Sequence, residues 1–274
     1  VRNEKKGPLA DCIEQYLAHK HSLGKQLTKV GAMLHLLDAY LVAHCVRDAR
    51  NIAPADLDGF IASRPRRSPR SYNGLLGAIR GLLDWMVVHE FLTESPLRSE
   101  KRRVTPSLRP FLFTAEQVRG LLEAAKQLPS NPRANGRGET YSMMFALLYG
   151  LGLRVGEVSR LCRSDVDFAR QLLIIRRTKF GKDRLVPFGP KLGLAIRGYL
   201  DREESRFGTI PPERFVFSFN RRKGTPIGVN TISWTFHKLL PTLKLSVPPG
   251  TTPPHLHCLR HSFAVGTLLR WYRA

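Results

Sequence analysis

Apolar residues recur at three- and four-residue spacing over 9–23 and over 27–46, where Val30, Leu34, Leu37 and Leu41 fall on one face. Both stretches therefore predict amphipathic helices. A short helix is predicted from Pro54, carrying Leu57, Phe60 and Ile61 inward. The run Arg64-Pro65-Arg66-Arg67-Ser68-Pro69-Arg70 breaks the pattern. Its prolines exclude a regular helix and place the arginines on an exposed loop. A long amphipathic helix is predicted from Asn73 to Leu92 through Leu75, Leu76, Ile79, Leu82, Leu83, Met86 and Val87, and Ser95-Pro96 ends it. Residues 1–97 thus read as an all-helical unit.

Residues 98–110 are basic and apolar-poor, with Arg98, Lys101, Arg102, Arg103 and Arg109 against Glu100 alone, and read as a linking strap. A second unit, 111–274, opens where Thr114 and Gln117 fit a capping box and Phe113 with Val118 a hydrophobic staple. Helical spacing covers 114–128, 140–150, 154–162, 190–204, 229–240 and the stretch from His257 onward. Leu172 to Arg176 and Arg184 to Phe188 read as two strands joined by the turn Lys179-Phe180-Gly181-Lys182. The predicted class is mainly α with a small antiparallel β-hairpin or sheet.

Charge narrows the partners. The 274 residues hold 44 Lys plus Arg against 22 Asp plus Glu, a formal net charge of +22. Such an excess repels itself in a compact chain, so a polyanion is expected, nucleic acid before an acidic membrane surface. No stretch approaches the roughly 20 apolar residues that span a bilayer, and no signal-peptide core follows the N-terminus, so a cytoplasmic, nucleoid-associated protein is expected. Cys12, Cys45, Cys162 and Cys258 contain no CxxC spacing and read as reduced thiols. Both ends read as cut, since the chain starts at Val1 and stops inside the helix-like stretch ending at Ala274.

Four places carry candidate chemistry. Gly150 to Glu157 is not a dinucleotide fingerprint, because a helix precedes it and the third glycine is displaced; it reads as a glycine turn between two helices. Arg154 and Glu157 then lie three apart on one helix face, as a surface ion pair or as part of a site. The segment from Arg176 to Arg184 holds five basic residues and one acid, and is either a solvated turn or a phosphate contact. His255, His257, Cys258 and His261 lie within seven residues, but on a helix Cys258 points away from His257 and His261, so no metal site is expected. His257 and Arg260 instead project together toward one anion at a helix N-terminus. Tyr272 lies 15 residues past His257, roughly 22 Å along a continuous helix, and is expected to be a packing residue.

These stretches together carry a resemblance. Leu147 to Glu157 (LLYGLGLRVGE), Thr178 to Pro187 (TKFGKDRLVP) and His257 to Ala264 (HCLRHSFA) resemble the tyrosine recombinase, or phage integrase, family. The likeness covers about 110–274 by motif, and the first unit resembles that family's core-binding domain by architecture. It implies a two-domain recombinase fold and metal-independent chemistry without a cofactor. Arg154 and Arg260 would clamp the scissile phosphate, Lys179 would protonate the leaving oxygen, and His257 would assist proton transfer. Glu157 and His261 would support them, and Asp165 with Asp167 corresponds to a structural acidic pair. The nucleophilic tyrosine of that family would lie beyond Ala274.

The resemblance implies a site-specific recombinase, integrase or transposase-type enzyme of a mobile genetic element, joining DNA through a 3′-phosphotyrosine. Its partner would be a duplex carrying a specific site, bound by a homo- or hetero-oligomer up to a tetrameric synapse. Arg64, Arg66, Arg67, Arg70, Lys101, Arg102 and Arg103 would contact phosphates, as would Lys182 and Arg184, with Asn73 and Arg80 as groove candidates. Two alternatives stand beside it: a DNA-binding module without chemistry that regulates an intact recombinase, and type IB topoisomerase-like activity.

Overall fold

A computed structural model describes residues 6–25, 27–105, 108–176, 182–219 and 224–273. The chain is mostly helical with one small antiparallel sheet, and it divides into two compact units, Val1–Pro106 and Ser107–Ala274.

The first unit is built from α1 (Ala10–Ser22), α2 (Thr28–Ala43), α3 (Pro54–Ala62) and α4 (Pro69–Val88). The apolar stripes meet in one core of Leu9, Ile13, Leu34, Leu37, Phe60, Ile79, Leu82 and Met86. A polar contact fixes the chain entry: buried Asp38 on α2 accepts a 2.7 Å hydrogen bond from the Leu9 backbone at the start of α1. Helix α4 begins four residues before the predicted start, because Pro69 occupies its first position and Ser68 caps it by accepting from the Ser71 amide. Arg70 therefore lies on the helix rather than on a loop. The helix also ends earlier than Ser95-Pro96. His89 is its C-cap and Glu90 takes a left-handed φ of 62°. Beyond it, the segment from Ser99 to Arg102 is tied back to the same unit. The Asn73 amide donates to the Arg102 carbonyl and accepts from the Arg102 amide, each at 2.8 Å, and Arg80 donates to the Ser99 carbonyl.

The second unit runs α5 (Ala115–Lys126), α6 (Arg137–Gly150), α7 (Val155–Ser159), β1 (Val166–Asp167), β2 (Leu172–Ile175), β3 (Arg184–Pro187), α8 (Pro190–Phe207), α9 (Val229–Leu239) and α10 (Leu256–Arg273). Helix α6 is buried on nearly every side and packs against α5, α8 and α10. The capping box is present at α5: Thr114 Oγ1 accepts from the Gln117 amide at 3.2 Å and Gln117 Oε1 from the Thr114 amide at 3.0 Å. Phe113 and Val118 enter the same core.

The sheet order is β1-β2-β3, with Leu173 opposite Val186 and Ile175 opposite Arg184. Strand β1 escaped the sequence reading because two residues are too few to show a period. Leu173 and Ile175 face the core, while Leu185 is exposed and its neighbour Val186 packs inward, so Arg184 shares the inward face with Val186. Among the described residues no helix is long and apolar enough to cross a membrane.

Thr114→Ala removes one half of the reciprocal cap and leaves the Gln117 amide unpaired. It is expected to lower the unfolding free energy by about 1 kcal/mol, read from the shift of a urea transition at unchanged slope.

Candidate active site

Three segments of the second unit meet at one place: the turn between α6 and α7, the first residue of β3, and the first turns of α10. The turn is set by Gly152, whose φ of +58° favours glycine and whose absent side chain makes room for the Phe263 ring of α10. Leu151 and Leu153, both buried, pull the turn onto the core. Helix α10 is fixed at the same level. Its Leu256, Cys258 and Leu259 are buried, and Ser262 Oγ accepts from the Phe113 amide at 2.7 Å while donating to the Cys258 carbonyl at 2.8 Å. Arg260 closes the junction by donating from Nη1 to the Gly152 carbonyl.

Arg154 stands at the N-cap of α7 in extended conformation, not on the helix face, and Glu157 reaches back to it from the third helical position. The Glu157 side chain is only 3% exposed and accepts four hydrogen bonds. Oε2 accepts from the Arg154 amide at 2.8 Å and from Arg184 Nη2 at 2.7 Å. Oε1 accepts from Arg154 Nη1 at 2.8 Å and from Arg184 Nη1 at 2.7 Å. Burial alone drives the Glu157 pKa upward; the Arg184 hydrogen bonds, then the Arg154 backbone and side-chain bonds, outweigh it and hold the carboxyl at about 2.

The charges of this group act on one another. Burial, then the positive charge of Arg154, pushes the Arg260 pKa down, with Glu157 opposing and Arg184 adding to the shift. Arg154, Arg184 and Arg260 thus face one carboxylate, leaving two of three positive charges uncompensated within the group. His257 joins them. Its pKa is lowered by partial burial first, then by His261, Arg260, His255 and Arg154, so the neutral imidazole is favoured. Its ring meets that of His261 edge-on at 4.5 Å between centroids. Arg154 keeps 44% of its side chain exposed beyond this contact.

Such an arrangement suits an anion with several oxygens, which two guanidinium groups can grip while a neutral imidazole accepts or passes a proton.

Residues 112–269 match the phage integrase family, more than half of the chain and all of this cluster. The chain belongs to that family, the tyrosine recombinases. It is 32% identical over 96% of its length to a putative integrase/recombinase, y4rB, of Sinorhizobium fredii, covering 82% of that protein. It is 28% identical over 94% of its length to the tyrosine recombinase XerA of Thermococcus onnurineus, covering 81% of it. Its fold matches a lambda integrase dimer solved on a COC′ core site, with a TM-score of 0.64 at 17% identity over 93% of this chain and 69% of that one.

Set against the family pattern, the structure brings Arg154, Glu157, His257, His261 and Arg260 together. Lys179 lies outside the described residues. Arg184, expected at a DNA phosphate, donates from each terminal nitrogen to the Glu157 carboxylate. Its inward place was readable from the alternation of β3, where it shares a face with Val186. Lys182 is exposed. Asp165 accepts from Arg176 Nε at 2.6 Å and the Cys162 amide, and Asp167 from the Arg170 amide, so both carboxylates are taken up by local turns. Among the described residues, no group of three or more His, Cys, Asp or Glu could hold a metal ion. Cys258 is buried, with its sulfur 3.1 Å from His255 Nδ1. Tyr272, expected to pack, is 92% exposed.

In the first unit, Arg67, Arg70, Lys101 and Arg103 are exposed. Arg64 and Arg66 are half-buried rather than free on a loop: Arg64 lies over the Phe60 ring, and the Nε of each is buried without a hydrogen-bond partner. Asn73 and Arg80, expected as groove contacts, hydrogen-bond to the 99–102 segment. Arg102 stacks 3.9 Å above the Tyr72 ring, an anchor that the sequence reading missed because Tyr72 sits inside the apolar stripe of α4.

A carboxyl held at about 2 contributes stability that is complete above the unfolded-state value near 4.3 and is lost as pH falls through 2. Glu157→Gln is therefore expected to be less stable than wild type by roughly 3 kcal/mol at pH 6. Denaturant titrations should show that gap narrowing steadily between pH 5 and pH 2.

Proposed function

We propose that the protein is a site-specific DNA recombinase, cutting and rejoining strands through a 3′-phosphotyrosine ester. One observation carries this: Arg260 on α10, far from Arg154 in sequence, donates to the Gly152 carbonyl two residues before Arg154, which brings both guanidinium groups to one junction with His257 on the same helix turn as Arg260. In this reading the two guanidinium groups bind the non-bridging oxygens of the scissile phosphate and stabilise the charge that builds there during attack. His257, neutral at physiological pH, takes the proton from the attacking phenol. Lys179, which lies between β2 and β3 in the sequence, delivers a proton to the departing 5′ oxygen. Glu157 and His261 support Arg154 and His257. Because Tyr272 stands roughly 22 Å along α10 from His257, the phenol is proposed to come from a tyrosine outside these 274 residues or on another protomer.

The reaction balances simply. The phenolic oxygen forms a bond to phosphorus, the phosphorus–5′ oxygen bond breaks, and the second strand's 5′ hydroxyl reverses the exchange.

Residues 111–274 are read as the catalytic domain, 1–97 as the core-binding domain and 98–110 as a basic link between them. Duplex DNA with a specific site is the proposed partner, supported by the +22 charge and by the fold shared with lambda integrase, which was solved as a DNA-bound dimer. Assembly on DNA into an oligomer, up to a four-protomer synapse, is part of the same reading. Arg64, Arg66, Arg67, Arg70, Lys101, Arg102 and Arg103 are assigned to the sugar-phosphate backbone, where they position the protein without reading sequence.

With seven such contacts, affinity for a target duplex should fall by roughly 10⁴-fold between about 50 and 200 mM salt. A suicide duplex incubated with the intact protein should yield a covalent complex, and Arg154→Ala or Arg260→Ala should cut its rate by about 10²-fold or more. Salt-sensitive binding without any covalent product would instead support the regulatory binding module. Relaxation of any supercoiled plasmid regardless of site would point to topoisomerase-like activity.

A further inference from the structure

Arg184 is engaged in the second unit without a part in the proposed chemistry. Its two terminal nitrogens meet the two Glu157 oxygens at 2.7 Å each, fork against fork, and the carboxylate they meet is almost completely buried. Each oxygen also accepts one bond from Arg154, from its amide or its side chain. The start of α7 and the start of β3 are thereby clamped on one group. The strand beneath Arg184 is firm, since β3 pairs with β2 through Leu185 opposite Ile174 and Arg184 opposite Ile175, and Val186 seats it on the core.

We propose that Arg184 is a positioning residue for strand cleavage: its fork locks the Glu157 carboxylate in one plane, and that carboxylate in turn aims Arg154 at the scissile phosphate. The inference rests on the reading of Arg154 as a phosphate ligand. A carboxylate bound only to Arg154 has one fixed anchor, the backbone amide on Oε2, while Oε1 can still shift together with the mobile Arg154 guanidinium. A second, bidentate arginine removes the freedom, because planar pairing fixes the carboxylate plane as well as its distance. A lysine at 184 supplies charge but no plane. The same bonds take one N–H from each terminal nitrogen of Arg184, whose side chain is 33% exposed against 44% for Arg154.

The test compares Arg184→Lys, Arg184→Gln, Glu157→Gln and the Arg184→Gln/Glu157→Gln pair in the intact protein. Single-turnover cleavage of a suicide duplex gives one readout and the salt dependence of duplex binding gives another. Both Arg184 variants should cleave about tenfold more slowly, a change of one hydrogen-bonding geometry, with affinity and salt slope unchanged. In the Glu157→Gln background the Arg184 substitution should add no further loss. A salt slope lowered by about one identifies Arg184 as a phosphate contact and overturns the proposal. So does full cleavage activity in Arg184→Lys, or an equal loss with and without Glu157.

Should wild type not cleave, the recombinase reading and the role in cleavage fail together, and nuclear magnetic resonance of the free protein decides whether Arg184 fixes Arg154 through Glu157. The Arg154 side-chain N–H groups should rotate slowly in wild type and rapidly in Arg184→Lys; unchanged rotation overturns it. Arg184→Lys keeps the buried charge balance, so the question stays open to measurement even where Arg184→Gln does not fold.

Discussion

Glu157 is a buried carboxylate that accepts four hydrogen bonds from two arginines, and those bonds join the beginning of a helix to the beginning of a strand. The contact matters because everything around it is positive. Arg154, Arg184 and Arg260 repel one another, and each is brought to the site by a different segment. Without a buried negative partner such a group would relax outward into water, and its forks would no longer point at a common target. One carboxylate cannot cancel three guanidinium groups. The excess left over is the electrostatic property that a phosphodiester, with its single negative charge, is suited to meet. The pairing therefore both permits the convergence and leaves it incomplete.

The rest of the second unit holds that convergence in place. Gly152 gives the chain a left-handed turn and admits the Phe263 ring, so that the loop bearing Arg154 and the helix bearing Arg260 touch directly. Helix α6 lies in the middle of the core and delivers the turn from below, while Ser262 fastens α10 to the strand-like entry at Phe113. The positions of the charged groups are consequences of apolar packing several residues away from each.

Much of this was legible along the chain, and the parts that were not share a cause. Helices with long apolar stripes, such as α2 and α4, announce themselves by spacing, and the Thr114 cap does so by residue type. The glycine turn and the His257–Arg260 pair are readable because the turn is marked by residue type and the pair by its three-residue helical spacing. The start of α4 was misplaced because Pro69, a helix breaker in mid-element, is favoured in the first turn. The Arg184–Glu157 pairing is not announced by sequence distance, since 27 residues separate the two, although the alternation of β3 turns Arg184 inward. The hydrogen bonds of Asn73 and Arg80 are not legible either, because their partners lie more than fifteen residues away, on a segment with no periodicity of its own. Long-range polar contacts leave no local trace.

The central claim is that Arg154 and Arg260 grip one and the same phosphate. A crystal structure of the protein on a target duplex, with vanadate at the nicked cleavage position, tests it most directly. Convergence predicts vanadate oxygens within about 3 Å of both guanidinium groups, with the Glu157 contacts intact. Vanadate bound to only one of the two arginines, or seated elsewhere on the duplex surface, would contradict it.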